Sequence, residues 1–116
     1  MITAARFREI ALSFEGAYEV PHVDRAAFRT KRRIFATLAP DGATANLALD
    51  LDAQEALCEA LPEVFSPVPG GWGRMGYTTV LLRAVKKDDL AGALCEAHAR
   101  AGAPKAKPRP KRAPRS

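Results

Sequence analysis

Residues 33–51, RIFATLAPDGATANLALDL, decide the fold of this chain. From Thr44 to Leu51 apolar side chains alternate with polar or small ones, and this period of two predicts an antiparallel strand with one face open to solvent. Residues 33–39 are rich in β-branched and aromatic side chains, which favour a second strand. Between them, Pro40-Asp41-Gly42 predicts a tight turn, because proline fixes φ and glycine permits a positive φ.

Upstream of this hairpin, residues 3–14 carry apolar side chains at helical spacing, with Thr3 as the expected N-cap. Pro21 then imposes an extended backbone on the residue before it. Residues 26–30 predict another strand, which the pair Lys31-Arg32 connects to the hairpin.

Downstream, Asp52 is the expected N-cap of a helix, with Glu55 completing a capping box. The pattern predicts a helix, a short edge strand, a last strand and a final helix, over residues 53–61, 64–66, 77–84 and from Asp88 or Asp89 to about Ala101. Hairpins with helices at the ends indicate an α+β fold, in which about three helices pack an antiparallel sheet.

The positive charge of the chain is concentrated at its C-terminus. The 116 residues carry 18 basic and 13 acidic side chains, for a formal net charge of +5. Six basic residues lie in 104–116, where there is no acidic residue, so 1–103 hold 12 basic against 13 acidic ones. These six are Lys105, Lys107, Arg109, Lys111, Arg112 and Arg115. We expect one domain over 1–103 and a disordered basic tail over 104–116, because the tail has too little apolar surface to bury.

Several classes of protein are not expected from this composition. No apolar run reaches the roughly 18–20 residues of a membrane span, and the N-terminus lacks a signal-peptide pattern, so we expect a cytoplasmic monomer without a membrane partner. Cys58 and Cys95 have no metal or redox spacing and predict small buried or half-buried apolar residues. No catalytic, nucleotide or metal motif stands out, so we expect neither an enzyme nor a bound cofactor or metal.

The loop at residues 70–76, GGWGRMG, is the most unusual local feature. Its glycine spacing echoes a dinucleotide-binding loop, but it leads into a strand rather than a helix. An exposed Trp72, with Arg74 and Tyr77 nearby, would suit stacking on a base or a sugar. The alternative, which the average burial of tryptophan favours, is a hairpin connection with Trp72 folded into the core.

Basic residues cluster in the first predicted hairpin. Arg29, Lys31 and Arg33 share one strand face if the register continues through the turn, and Arg32 adds to the cluster. Such a patch suits phosphate contacts, or it protects a sheet edge from aggregation. The basic tail likewise suits binding to polyanions, or serves as a solubilising extension. His22 and His98 are the only histidines, and both predict structural or surface roles, since neither has an evident catalytic partner.

Four stretches of the chain resemble the MmcQ/YjbR family of small bacterial proteins. They are residues 19–29, 33–38, 62–69 and 71–80, and the closing residues 103–105 also fit. The positions that match the family pattern are His22, Phe28, Trp72, Gly73, Gly76 and Thr78. Arg33 stands where lysine is common, and Tyr77 where tryptophan is common. The resemblance implies an α+β fold with a so-called double-wing motif, DNA as partner and no enzymatic activity.

Two functions follow as hypotheses. The first is nucleic-acid binding, with DNA as the expected polymer. Its contacts would come from Arg29, Lys31, Arg32, Arg33 and Arg74, from Lys105, Lys107, Arg109, Lys111 and Arg112 of the tail, and from Trp72 and Tyr77 by stacking or wedging. The alternative is an adaptor that binds a protein or a small ligand in a groove framed by His22, Phe28 and Trp72.

Overall fold

A computed structural model of the protein describes residues 2–102, in four helices and six strands. In chain order these are α1 (Ala4–Leu12), β1 (Tyr18–His22), β2 (Arg25–Arg29), β3 (Ile34–Leu38), β4 (Thr44–Ala48), α2 (Leu51–Ala60), β5 (Phe65–Pro67), α3 (Gly71–Arg74), β6 (Tyr77–Leu81) and α4 (Lys87–Gly102). The predicted disordered tail, residues 104–116, lies outside the described residues.

The strands form one antiparallel sheet in the order β1-β2-β3-β4-β6-β5. The first four follow one another as a meander of hairpins. Helix α2 then carries the chain from β4 past β6 to the edge strand β5, so β4 and β5 run parallel to each other on either side of β6. The predicted α+β fold with an antiparallel sheet is confirmed.

One face of the sheet carries the core. Phe28, Ala36, Leu47 and Thr78 are paired across β2, β3, β4 and β6, and all four are buried. Directly paired residues lie on the same face of an antiparallel sheet, so this row identifies the covered face. The ring of Phe7 in α1 packs edge-on against Phe28, with centroids 5.5 Å apart. Helix α1 therefore lies on the covered face.

The other long helices lie on the same face. Helix α4 packs against α1, β3 and β4, and its Leu90, Leu94 and Ala97 are buried in the core. Helix α2 lies beside α4, because Leu57 and Ala93 line one groove between them. Each phenylalanine buried in this core stabilises the fold by about 1.5–3 kcal/mol. The long helices thus form one layer and the sheet forms the other.

The second face of the sheet, which we call the open face, is polar at its centre. Its middle row consists of Val20, Ala27, Thr37, Asn46, Thr79 and Ser66. Thr79 Oγ1 donates to Asn46 Oδ1 at 2.9 Å, and Arg25 Nε donates to Thr37 Oγ1 at 3.1 Å. Along β6, residues of this face are half-buried while their neighbours on the covered face are buried. This alternation is typical of a sheet packed on one side.

Two short elements are not predicted by the sequence pattern. Strand β1 contains Pro21, which lacks an N–H, and the sheet tolerates it because β1 is an edge strand. Helix α3 has four residues, two of them glycine, so it carries no helical periodicity. The start of the last helix also differs from the prediction. It begins at Lys87, so Asp88 and Asp89 lie in its first turn.

Helix α2 also begins earlier than predicted. Its N-cap is Asp50, whose carboxylate accepts a hydrogen bond from the N–H of Ala53 at 2.8 Å. Asp50 has an extended backbone with ψ near 170°, as an N-cap requires. The predicted capping box of Asp52 and Glu55 is therefore wrong. The alternating pattern runs over residues 44–51, but β4 ends at Ala48, so the helix begins earlier.

Candidate functional site

One end of the sheet gathers residues from several of the predicted sites. Strand β2 ends there at Arg29, which pairs with Ile34, and β6 begins there at Tyr77, which pairs with Ala48. Adjacent strands are about 4.8 Å apart, so β2 and β6, three spacings apart in the sheet, are separated by about 14 Å. We call this the basic end of the sheet.

A tight turn at residues 30–33, the basic turn, presents three consecutive cations at this end. Thr30 N–H donates to the Arg33 carbonyl at 3.0 Å, and Thr30 Oγ1 accepts from the N–H groups of Arg32 and Arg33 at 3.1 and 3.4 Å. Lys31 and Arg32 are exposed, and Arg33 is half-buried. The backbone of the turn is therefore fixed from within, while the charged side chains at its tip remain in solvent.

Arg29 supports this turn rather than extending it. Its Nε donates to the Thr30 carbonyl at 3.0 Å and its Nη2 to the Lys31 carbonyl at 3.5 Å. The predicted single strand face shared by Arg29, Lys31 and Arg33 is not formed, because β2 ends at Arg29 and a register shift follows Phe28. The cations cluster through the turn instead of along a strand.

The C-terminal end of α4 is fastened to the basic turn. Thr30 Oγ1 donates to the carbonyl of Ala101 at 3.2 Å, and both residues are buried. The chain therefore leaves the helix at Gly102 next to the three cations of the turn. The predicted tail contacts, Lys105, Lys107, Arg109, Lys111 and Arg112, lie outside the described residues, but their point of attachment lies at the basic end.

Trp72 lies at the other side of the same end. Its side chain is 59% exposed and its ring contacts the ring of Tyr77, with centroids 5.1 Å apart and planes at 77°. The interpretation of Trp72 as a core residue is therefore wrong. Arg74, at the end of α3, is exposed as well. Because Trp72 contacts Tyr77 at the start of β6, it lies on the β6 side of the basic end, three strand spacings from β2.

Gly73 and Gln54 fix the position of α3. A Cβ on Gly73 would lie 1.9 Å from the carbonyl oxygen of Val68, so this glycine allows the two backbones to touch. Gln54, the buried residue of α2, donates from Nε2 to the carbonyls of Gly73 and Tyr77 at 2.9 and 3.0 Å. Sequence reasoning missed Gln54, for which the available signal is weak: one amide among the alanines of α2.

Gly76 makes a second close contact. It has a φ of 109°, and a Cβ on it would lie 1.9 Å from the carbonyl oxygen of Leu49. The N–H of Leu49 donates to the Gly76 carbonyl at 3.3 Å, which ends the pairing of β4 and turns the chain toward α2. Gly73 and Gly76 thus allow this segment to lie directly on the backbones of Val68 and Leu49.

The six described strands place no carboxylate on the open face. Glu19 is their only acidic residue, and it pairs with Phe28 on the covered face. Arg8 of α1 binds Glu19 with a nitrogen–oxygen distance of 3.2 Å. The second ion pair among residues 2–102 lies within α1. Neither of these two ion pairs involves the basic turn or Arg74.

The residues of the alternative groove are not brought together. His22 ends β1, where it pairs with Arg25 at the opposite end of the sheet from the basic end. It is also four strands away from Tyr77, beside which Trp72 lies. Phe28 is fully buried. A groove framed by His22, Phe28 and Trp72 is therefore not formed, because the sheet separates them.

His98 has a structural role. Its ring stacks on Phe14 with a centroid distance of 5.2 Å and meets Phe35 edge-on at 5.5 Å. Its Nε2 donates to the Glu15 carbonyl at 2.8 Å, which assigns the ring proton to that nitrogen. The ring thereby fastens α4 to the segment between α1 and β1.

The two cysteines differ from each other. Cys58 is half-buried on α2, and burial raises the pKa of its thiol. Cys95 is exposed, so its prediction as a buried or half-buried residue is wrong. Residues 2–102 contain no group of three or more side chains placed to hold a metal ion. No helix in that range is long and apolar enough to cross a membrane.

A family model described as YjbR matches residues 12–100, which include the basic turn and the Trp72 loop. The chain belongs to the YjbR family. The resemblance found in the sequence is thereby confirmed. No curated protein matches this YjbR-family chain.

Two solved structures share its fold. One is the Deinococcus radiodurans protein DR2400, with a DUF419 domain, at a TM-score of 0.70 and 23% identity over 84% of this chain and 76% of that one. The other is a protein from Pseudomonas syringae, at a TM-score of 0.61 and 15% identity over 84% of this chain and 97% of that one. At these identities the likeness shows the fold alone.

Proposed function

We propose that this YjbR-family chain is a non-enzymatic nucleic-acid-binding protein that contacts phosphates at the basic end of its sheet. Lys31, Arg32 and Arg33 would make the central contacts, with Arg74 to one side. Arg29 supports the turn through its backbone carbonyls. Lys31, Arg32 and Arg74 are exposed, and exposed cations suit a phosphate backbone, since binding releases the condensed counterions of the polymer.

The observation that carries the proposal is the hydrogen bond from Thr30 Oγ1 to the carbonyl of Ala101. It joins positions 71 residues apart in the chain and brings the origin of the basic tail to the basic turn. A tail that continues from Gly102 would therefore begin beside the turn. Two linked binding elements reach a higher effective concentration than either one alone.

A salt series on the full-length chain tests the proposal. The turn variant carries Lys31→Gln and Arg32→Gln, and the tail variant carries glutamine at all six basic positions after residue 103. The observable is the slope of log K against log salt for a short DNA. Each phosphate contact contributes about 0.7–0.9 to the magnitude of this slope. We expect the turn variant to reduce it by about 1.5, and the tail variant to reduce it further.

The matched control carries Lys86→Gln and Lys87→Gln. Both lysines are exposed and precede or begin α4, at the opposite end of that helix from Ala101. The control removes the same net charge as the turn variant and should leave the slope nearly unchanged. Equal slopes for the turn variant and the control would show that the basic end is not the binding site.

A protein-binding function is the second candidate, and it rests on a different observation. The side chains of Trp72, Met75 and Leu51 are 59%, 58% and 53% exposed. The two segments that carry them meet where Gly76 contacts the backbone of Leu49 and Asp50. Exposed apolar side chains of this size are typical of interaction sites. A pull-down with wild type and Trp72→Ala tests this candidate, and a partner retained equally by both proteins would count against it.

A further inference from the structure

At the basic end the protein presents the rings of Trp72 and Tyr77 and the basic turn. Proteins that recognise a DNA duplex usually present a helix instead. The three long helices lie on the covered face, and α3 has only four residues. Reading the major groove of a duplex usually requires a helix or a protruding β-ribbon. We propose that the ligand of the basic end is single-stranded nucleic acid, whose unpaired bases stack on Trp72 while its phosphates lie on the basic turn. This inference rests on the proposed function.

The geometry of Trp72 suits stacking. Its ring plane is at 77° to that of Tyr77, so the two rings do not stack face to face, and more than half of the Trp72 side chain is exposed. Every base has a π-face, so stacking of this kind tolerates any sequence. A base in a duplex presents its faces to its neighbours in the stack, whereas an unpaired base is free to leave it.

The segment that carries Trp72, residues 71–77, which we call the Trp72 platform, is held in place before binding. Gln54 fixes the backbone of Gly73 and Tyr77 through two hydrogen bonds of 2.9 and 3.0 Å. Gly73 and Gly76 bring the same segment into direct contact with the backbones of Val68 and Leu49. A ring exposed on such a firmly seated segment loses little conformational entropy when a base stacks on it.

The distance across the basic end fits a short stretch of strand. The strands beside these two contacts, β2 and β6, are three spacings or about 14 Å apart. Consecutive nucleotides rise about 3.4 Å in a stacked strand, so the separation corresponds to about four stacked nucleotides and fewer extended ones. The strand would cross the end of the open face, where the described strands carry no carboxylate.

Trp72 is the only tryptophan of the chain, so its fluorescence reports directly on this site. The experiment titrates the full-length protein with an oligothymidylate of about 12 nucleotides, within the range of known single-strand site sizes. An abasic oligonucleotide of the same length has the same phosphates without bases, and a duplex of that length has paired bases. We expect quenching by the oligothymidylate alone, and an affinity about fivefold or more above that of the abasic oligonucleotide.

Two variants of Trp72 separate stacking from bulk. Trp72→Leu keeps an apolar side chain without a large π-face and should lower oligothymidylate affinity to that of the abasic oligonucleotide. Trp72→Phe should restore part of the difference, and neither variant should change abasic binding. Thermal unfolding followed by circular dichroism confirms that both variants fold.

The outcomes separate the two proposals. If the oligothymidylate, the abasic oligonucleotide and the duplex all fail to bind, the proposed function fails. If both single strands bind equally without quenching, the phosphate site stands and the stacking inference is overturned. Tighter binding to the duplex overturns it in favour of duplex docking. Trp72 emission that shifts with protein concentration, together with a dimer in sedimentation, overturns it in favour of self-association.

Discussion

The basic end of the sheet is positively charged and the groove between α2 and α4 is negatively charged. Only the negative charge has an evident role in stabilising the fold. The groove is lined by the acidic residues Asp50, Asp52, Asp88, Asp89 and Glu96. Asp50 caps α2, and the other three aspartates lie in the first turns of α2 and α4. Carboxylates at these positions stabilise the positive end of the helix dipole. Most of the acidic residues that line this groove therefore have a structural role.

The basic turn has no comparable explanation. Thr30 closes it through its hydroxyl, and Arg29 braces it, but Lys31 and Arg32 only bring like charges together in solvent. Neighbouring like charges weaken a fold slightly. The near-neutral charge of residues 1–103 thus hides a separation into an acidic helical side and a basic end. Net charge is a poor guide to the surface of this domain, because the acidic charges of the groove and the basic charges of the turn cancel in the sum.

Substitution of glycine gives the largest expected effect and the sharpest contrast between the two regions. Gly76→Ala places a Cβ 1.9 Å from the Leu49 carbonyl oxygen at a φ of 109°. We expect a loss of about 3 kcal/mol or more in the free energy of unfolding, from backbone strain and overpacking. Gly92→Ala is the matched control in the acidic groove, where nothing lies within 4 Å of the added Cβ. It should stabilise α4 by up to about 1 kcal/mol.

Urea unfolding of both variants measures the difference. If Gly76→Ala were as stable as wild type, the close contact between Gly76 and the Leu49 carbonyl would be contradicted. Its oligothymidylate affinity should fall as well, since Trp72 would lose its fixed position.

Thr30→Val tests the fastening of α4 to the basic turn. Valine keeps the shape of threonine but leaves the Ala101 carbonyl and the N–H of Arg32 without their partner. We expect a loss of about 2 kcal/mol in unfolding free energy, since unsatisfied buried groups cost about 1–3 kcal/mol. Thr44→Val, at a half-buried position of β4, is the control and should change stability by less than about 0.5 kcal/mol. Hydrogen exchange at Arg32 and Arg33 should quicken in Thr30→Val alone.

The sequence predicts the parts of the molecule better than their assembly. The hairpin around Pro40-Asp41-Gly42 and the period of two in β4 are local signals, and both are confirmed. The basic end depends on contacts between distant residues: Thr30 with Ala101, and the insertion of β6 between β4 and β5. No local pattern encodes these contacts, so the tail and the basic hairpin could be named separately but not joined.

The error at Trp72 has a local physical reason. Tryptophan is buried on average because a fold usually leaves room for a large ring. Here Gly73 and Gly76 bring their segment into direct contact with the backbones of Val68 and Leu49, and the indole of Trp72 is exposed.

The N-cap of α2 offers a smaller test within the acidic groove. Asp50→Ala removes the acceptor of the Ala53 N–H, and we expect a loss of about 1 kcal/mol in unfolding free energy. Glu55→Ala, at an exposed position of the same helix, removes the same charge and should change stability by less than about 0.5 kcal/mol. Urea unfolding distinguishes the two. Equal losses would restore Glu55 as a capping residue and weaken the structural explanation of the acidic groove.

The smallest expected effect decides whether the location of charge or its sum governs binding. Asp88→Asn with Asp89→Asn raises the net charge by two at the start of α4, whereas Lys31→Gln with Arg32→Gln lowers it by two at the basic turn. At about 0.15 M salt the Debye length is about 8 Å, so charges at the far end of the 16-residue helix α4 are largely screened from the basic turn. We therefore expect the double asparagine variant to change DNA affinity by less than about twofold, while the turn variant weakens it by several times that factor, because direct phosphate contacts are lost. If the two variants shifted affinity equally in opposite directions, net charge would control binding, and the basic end would lose its claim to be a site.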